Sequence, residues 1–211
     1  QVLIRLGERS EAVLPKEERI AGEVYVPGET KKFFLLDVRQ TGRGPRIVVS
    51  RTHPGLLRKL LELEIPEIGD GTVEIKSIVR EAGARAKVAV ASTNPEVDPV
   101  GACVGNSGAR IRNVSSDLCD EKIDVIVWSD DPLEFIKNAL SPARITRVEA
   151  VEGQDRTARV YAPADQLSLA IGKAGQNVRL AARLTGWKVD INTEGEKASS
   201  VVEGEKEEEG I

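Results

Sequence analysis

The chain has 211 residues, of which 40% are hydrophobic and 30% are charged, a composition typical of a globular protein with one large domain or two to three small ones. Aromatic residues make up only 3%, so the cores must consist mainly of Val, Ile, Leu and Ala. No apolar run approaches the roughly 20 residues that span a bilayer, and no signal peptide opens the sequence. We therefore predict a cytoplasmic protein with no membrane partner. Cys103 and Cys119 lack metal-ligand spacing and are expected to be reduced, mostly buried thiols.

Acidic residues are concentrated at the C-terminal end. The formal net charge is −4, but residues 193–211 contain seven Glu and two Lys and carry −5, which leaves +1 for the preceding 192 residues. This segment has no periodic apolar pattern and predicts a disordered acidic tail over 193–211. By contrast, residues 171–188 contain four cations and no acid. Local positive charge of this kind favours contact with phosphate.

Residues 1–52 predict a small β-barrel of the OB type. Apolar runs at residues 2–6, 12–14, 31–38 and 47–49 are separated by Gly and Pro turn signals. Because the sequence begins inside the first strand, we expect this barrel to lack its opening strand. Phe33 and Phe34 are adjacent and cannot face the same side of a strand, so one of them is a candidate base-stacking platform or covers the next domain.

Residues 53–130 and 131–192 contain the same order of predicted elements. Each has a helix beginning at a proline, two strands, a helix interrupted by a Gly-x-x-Gly loop, a further helix and a last strand. The loops, residues 105–108 and 172–175, are 67 residues apart, and at that offset Ile111 falls on Val178 and Arg112 on Arg179. This internal repeat predicts two three-stranded sheets, each with helices on one face.

A Gly-x-x-Gly loop between two helices is suited to holding a sugar–phosphate backbone. Glycine has no Cβ, so the backbone of a nucleic acid can approach closely, and the amides that begin the following helix favour phosphate. In KH domains such a loop holds about four nucleotides. We therefore predict RNA-binding residues at both loops: Gly105, Asn106, Ser107, Gly108, Arg110 and Arg112 in the first copy, and Gly172, Lys173, Ala174, Gly175, Gln176, Asn177, Arg179 and Arg183 in the second.

Rival chemical sites are not supported by the sequence. A nucleotide-binding P-loop around Lys173 would need Gly at position 167 and Ser or Thr at 174, where the chain has Leu167 and Ala174. His53 is the only histidine, and a capping or surface role is expected for it rather than acid–base work. A helix N-cap is expected at Asp130-Asp131. We predict no enzymatic activity, no cofactor and no metal site. Trp128 and Trp187 are expected to take part in core or interdomain packing rather than stack on bases.

Four segments closely resemble the NusA family of bacterial transcription factors. They are residues 98–105 (DPVGACVG), 121–124 (EKID), 138–143 (NALSPA) and 171–181 (IGKAGQNVRLA). The resemblance covers residues 1 to about 192 and implies an α+β fold, with an OB barrel of the ribosomal S-one kind followed by two type II KH domains. It further implies binding to nascent single-stranded RNA, to RNA polymerase and to other antitermination factors during pausing, termination and antitermination. Nothing in the sequence suggests a coiled-coil or swapped dimer, so we expect a monomer.

Two other functions are compatible with KH-like repeats. The chain is alternatively the RNA-tethering part of a ribonuclease such as polynucleotide phosphorylase, although that family places KH before barrel and here the barrel comes first. It is alternatively a protein-interaction scaffold, which predicts no RNA affinity. A further hypothesis is that the acidic tail mimics nucleic acid and covers the grooves; unchanged RNA affinity after deletion of residues 193–211 would contradict it.

Overall fold

The structure of the chain is a computed structural model, and it describes residues 1–8, 10–42, 44–193 and 201–202. Four strands come first and two segments that mix helices and strands follow them, which confirms the predicted α+β class. Two compact units are present. The first consists of Gln1–Asp70, Arg80–Ala86 and Ala102–Ile123, and the second of Gly71–Val79, Lys87–Gly101 and Asp124–Ile211. Within the described ranges, no helix is both long and apolar enough to cross a membrane.

The N-terminal sheet has the strand order β1-β2-β4-β3, which is consistent with an OB-type barrel. The outer pairs are antiparallel and β2 pairs with β4 in parallel. Ala12, Leu14 and Val49 form its buried core, against which Phe33 packs. The third strand begins later than predicted because the Lys32 carbonyl accepts a hydrogen bond from Arg51 instead of joining a ladder. The strands are β1 Val2–Leu6, β2 Ser10–Leu14, β3 Phe34–Thr41 and β4 Gly44–Ser50.

The first repeat copy forms the strand order β5-β6-β7. Backbone hydrogen bonds join Lys122 N to Ala84 O and Trp128 N to Val90 O. Between these two bonds both strands advance six residues in the same direction, so β6 and β7 run parallel. The short helix α2 was not predicted, because a proline that ends one helix can also occupy the first turn of the next. The elements are α1 Pro54–Glu64, α2 Pro66–Gly69, β5 Val73–Glu81, β6 Arg85–Ser92, α3 Pro99–Val104, α4 Ala109–Asp117 and β7 Lys122–Val127.

The second repeat copy has the same element order. Its strand β8 pairs with β9 in antiparallel and β9 with β10 in parallel. The strand β8 is shorter than the predicted residues 144–151, because the Arg144 amide donates to the Gln166 side chain rather than to a neighbouring strand. The elements are α5 Pro132–Ala139, β8 Arg147–Ala150, β9 Thr157–Ala162, α6 Ala164–Ile171, α7 Gln176–Thr185 and β10 Lys188–Thr193.

The predicted acidic tail lies largely outside the described residues. Thr193 ends β10, and Val201–Val202 form a two-residue strand, β11, that pairs in antiparallel with β10. The structure differs from the prediction of disorder at these positions. The hypothesis that the tail covers the grooves concerns residues that are mostly not described.

One face of the second sheet carries the core of its unit. Along β9, Ala158, Val160 and Ala162 are completely buried, whereas Arg159 between them is exposed. The buried residues pack with residues of α5, α6 and α7 in one cluster, so the helices cover a single face, as predicted. Trp128 and Trp187 are partly buried and pack against this cluster, which of the two predicted roles favours core packing. The Lys76 ammonium lies 5.1 Å from the ring centre of Trp128.

A buried ion pair fixes the helix that follows the first loop. Arg51 is 1% exposed, and its guanidinium contacts the Glu23 carboxylate at 2.5 Å and donates to the carbonyl of Asp117, the last residue of α4. Burial alone raises the pKa of Glu23, but hydrogen bonds from Arg51 and Tyr25 outweigh burial and hold it below its ordinary value. The prediction of two buried thiols is wrong for Cys119, which is exposed, and correct for Cys103.

Candidate nucleic-acid interface

The two Gly-x-x-Gly loops have nearly identical backbones. The first glycine has φ 74° and ψ 179° at Gly105, and φ 79° and ψ 169° at Gly172. The last has φ 76° and ψ 17° at Gly108, and φ 73° and ψ 12° at Gly175. These left-handed conformations favour glycine at all four positions. Two segments 67 residues apart therefore build the same turn between two helices.

The third residue of each loop is also left-handed, although it is not glycine. Ser107 has φ 50° and ψ 28°, and Ala174 has φ 52° and ψ 30°. In both loops the carbonyl of this residue accepts a hydrogen bond from an arginine five residues further on. Arg112 donates to Ser107, and Arg179 donates to Ala174 at 3.1 Å. This bond holds the middle of the loop against the first turns of the next helix.

The helices after the loops begin without side-chain caps. Gly108 precedes α4 and Gly175 precedes α7, and neither helix start has a side-chain hydrogen bond to its first amides. The first four amides of a helix have no partner inside it, and the helix dipole makes this end attractive to anions. The middle residues of both loops are exposed. The amides of Ala109 and Gln176, which begin these helices, already donate to the carbonyls of Asn106 and Lys173. Each loop thus offers to a phosphate an open surface and the dipole of the following helix.

The charges around the two loops differ. In the second copy, Lys173 is exposed and Arg183 is half-buried, and residues 171–188 contain no acid. In the first copy, the corresponding positions are Asn106 and Ser116, and the Arg110 guanidinium contacts the Glu67 carboxylate at 2.8 Å. The second loop and the helix that follows it therefore contain more positive charge than the first.

Two predicted RNA-binding residues, unlike Arg112 and Arg179, hydrogen-bond to elements outside their own loop. Asn177 is 1% exposed, and its side-chain amide donates to the carbonyls of Leu140 and Ala170, each at 3.0 Å. The prediction that Asn177 contacts RNA is therefore corrected: the side chain is buried. Arg110 is half-buried and donates to the Ala102 carbonyl at 2.7 Å in addition to Glu67. The sequence did not reveal these contacts, because the carbonyls that accept the bonds lie seven to 37 residues away.

The remaining predicted positions are at the surface of the loop and helix. Gln176 and Arg179 lie half-buried in α7, and Arg112 is exposed in α4. On the opposite side of these helices, Val114, Val178 and the other apolar residues are buried in the cores. Each helix thus presents its polar residues beside the loop and packs its apolar residues inward.

The residues considered for other roles have structural functions. His53 Nδ1 accepts from the Gly55 amide at 3.0 Å, and Asp131 Oδ1 accepts from the Leu133 amide at 3.0 Å, so both predicted caps are confirmed. Phe34 stacks on His53 with ring centres 4.2 Å apart, so this ring face is covered. Within the described part of the chain, no three His, Cys, Asp or Glu side chains cluster in a way that could hold a metal ion.

Family models for both copies match the chain. The model described as the NusA-like first KH domain matches residues 51–128, and that of the NusA-like second KH domain matches residues 132–199. The chain belongs to the NusA family. This assignment confirms the two KH domains and selects NusA over the polynucleotide phosphorylase alternative.

Curated members of the NusA family are about half identical to the chain. Proteins named transcription termination/antitermination protein NusA are 52% identical in Halalkalibacterium halodurans, over 92% of this chain and 50% of the relative, and 51% in Bacillus subtilis, over 92% and 52%. The Thermus thermophilus protein is 53% identical over 89% of this chain and 48% of its own length. The chain thus spans about half the length of the NusA relatives it matches.

Proposed function

We propose that the chain binds single-stranded RNA through its two KH domains, without catalysis, and acts on nascent RNA during transcription elongation, pausing, termination and antitermination. The observation that carries the proposal is the repetition of one loop geometry, with φ and ψ at equivalent positions agreeing within about 10°. Both loops stand before an uncapped helix start, which is the arrangement that holds a nucleic-acid backbone in KH domains.

The proposed binding residues follow from the surface of each loop. In the first copy they are residues 105–108 and Arg112, and in the second they are residues 172–176, Arg179 and Arg183. Scarce aromatic residues favour recognition of base edges by hydrogen bonds over stacking. The proposed domains are an OB-type barrel over residues 1–52, the first KH domain over 53–130 and the second over 131–192.

The transcriptional setting is proposed from the NusA relatives, whose names include termination and antitermination. RNA polymerase and other antitermination factors are the proposed protein partners, and the cytoplasm is the proposed location. We propose that the chain acts as a monomer and without a cofactor.

The test places two carboxylates in the middle of each loop. The first variant combines Asn106→Asp with Ser107→Asp, and the second combines Lys173→Asp with Ala174→Asp. Aspartate is tolerated in the left-handed conformation that Ser107 and Ala174 adopt, so the fold should persist while phosphate is repelled. Binding of an unstructured 12-mer RNA is measured by fluorescence anisotropy, with the matching DNA and an RNA duplex as competitors, and circular dichroism checks folding.

Loss of single-stranded RNA binding by folded variants supports the proposal and gives the share of each loop. Wild-type affinity in both variants contradicts it and makes the loops structural. A control with Glu152→Gln and Gln154→Glu, which exchanges a charge in the loop between β8 and β9, should bind as the wild type does.

A further inference from the structure

Arg110 and Asn177 occupy the same position in the two copies. They are 67 residues apart, like the loops, and each lies in the first turn of the helix that follows its loop. Arginine and asparagine differ in charge, length and shape. A shared function at this position must therefore depend on what both can do, which is to donate hydrogen bonds.

Both side chains donate backward across the loop. Arg110 donates to the carbonyl of Ala102 in α3 at 2.7 Å, and Asn177 donates to the carbonyl of Ala170 in α6 at 3.0 Å. Each acceptor belongs to the last turn of the helix that precedes the loop, where carbonyls lack partners within the helix. The same bond thus joins the two helices on either side of each loop.

Each side chain also makes a second bond to an earlier element of its copy. Arg110 contacts the Glu67 carboxylate in α2 at 2.8 Å, and Asn177 donates to the carbonyl of Leu140 at the end of α5 at 3.0 Å. The helix after the loop is therefore tied to two places in its own unit. One copy uses an ion pair for this bond and the other a neutral amide.

The first glycine of each loop lies directly against this residue. A Cβ built on Gly105 would lie 2.7 Å from Arg110 Cγ, and one built on Gly172 would lie 2.8 Å from Asn177 Cβ. The glycine thus leaves room for the side chain that crosses behind the loop. The position of the loop and the position of this side chain depend on each other.

We infer that Arg110 and Asn177 are positioning residues, which hold the helices on either side of each loop so that the loop amides face RNA, and that neither contacts RNA. The inference rests on the proposed RNA-binding function. It removes Arg110 from the phosphate contacts, since its charge is balanced by Glu67 and only 32% of its side chain is exposed. The phosphate contacts of the first loop then come from its backbone amides and Arg112.

The experiment uses the full chain with Arg110→Gln, Glu67→Gln and both together, and a 12-mer of uridine as the probe. Affinity is measured from 50 to 200 mM salt, and the amide resonances of residues 105–108 are followed by NMR without RNA. A phosphate contact on single-stranded RNA contributes about 0.7 to the slope of log K against log salt, whereas a residue that only positions the loop contributes none. Arg144→Gln, which removes a 74%-exposed arginine paired with Asp165, is the matched control.

For positioning, we expect each single variant to bind about fivefold more weakly with an unchanged salt slope, the size of effect typical of one lost hydrogen bond. The double variant should be no weaker than the singles, and the loop amides should shift in all three but not in the control. Asn177→Leu, if it folds, should likewise shift the amides of residues 172–175.

A salt slope that falls by about 0.7 in Arg110→Gln, together with tighter binding in Glu67→Gln, would overturn the inference, because Arg110 would then be a phosphate ligand restrained by Glu67. Unmoved loop amides would overturn it as well. If the wild type binds no RNA, the proposed function fails, while the loop amides still decide whether the two residues position the loops.

Discussion

The two loop regions differ in how the same backbone is supported and charged. Around the first loop, ion pairs hold the structure: Arg110 with Glu67, and Arg51 with Glu23 beside the end of α4. Around the second, the neutral amide of Asn177 has the supporting role, and three cations lie in the loop and helix without a neighbouring acid in sequence. One geometry can therefore be built while the charge it presents to RNA is set separately. We expect the second loop to supply more of the electrostatic affinity and the first to depend more on contacts with bases.

The largest expected difference concerns the first glycine of each loop. A Cβ on Gly172 would lie 2.7 Å from a backbone atom, Asn177 N, whereas on Gly105 it would meet the movable side chain of Arg110. Both glycines adopt a conformation that is essentially restricted to glycine, so alanine is strained at either position. Because the clash at Gly172 is with the backbone, Gly172→Ala should lower the free energy of unfolding by about 3 kcal/mol, and Gly105→Ala by about 1 to 2 kcal/mol. Urea denaturation measures both. Gly175→Ala, where no atom lies within 4 Å, is the control, and equal losses in the first two would remove this difference between the copies.

Exchanging the cations between copies tests the electrostatic part of the comparison. Lys173→Asn with Arg183→Ser gives the second copy the residues that the first has at these positions. The slope of log K against log salt should fall by about 1.4, so that the loss of RNA affinity over a fourfold increase in salt is about sevenfold smaller than in the wild type. Asn106→Lys with Ser116→Arg should steepen the slope. Titrations of a 12-mer RNA from 50 to 200 mM salt measure both changes. Equal slopes in all variants would mean that these cations do not face phosphate.

Acid should weaken the first unit through Glu23. Because the pKa of Glu23 is lowered in the folded chain, its contribution is present above the ordinary value of 4.5 and is lost as pH falls through the folded pKa. Hydrogen exchange in α4 should therefore accelerate, relative to intrinsic rates, as pH falls below about 4.5, and less so in Glu23→Gln. The helix α7, which is held by a neutral amide, provides the internal comparison. Glu134→Gln, at an exposed site, should change neither helix.

The smallest effects concern the caps of the corresponding helices α1 and α5. Removing the acceptor in His53→Ala or Asp131→Ala should each cost about 1 kcal/mol of unfolding free energy. His53→Asn keeps an acceptor and should retain most of the stability. A loss much larger for His53→Ala than for Asp131→Ala would show that the stacking of Phe34 on His53, and not the cap, is the larger contribution.

The sequence was sufficient for features that depend on local signals. The helix starting at Pro54, the loops and the 67-residue repeat follow from proline and glycine positions and from apolar spacing. It was insufficient where a polar side chain finds a distant partner. Asparagine is usually found at the surface, and Asn177 is buried because the carbonyls of Leu140 and Ala170 both accept hydrogen bonds from its side chain. The same holds for Cys119, whose exposure depends on a left-handed turn at φ 59° after α4.

The parallel pairing of β9 with β10 has a kinetic consequence. Parallel neighbours need a crossover, and here the crossover is α6, the loop at residues 172–175 and α7. The sheet cannot close until that whole segment has ordered, so closure carries the entropy cost of a long connection. During synthesis, β10 can pair with β9 only after the ribosome has released residue 193. Substitutions in the loop should consequently change the folding rate as well as the affinity for RNA.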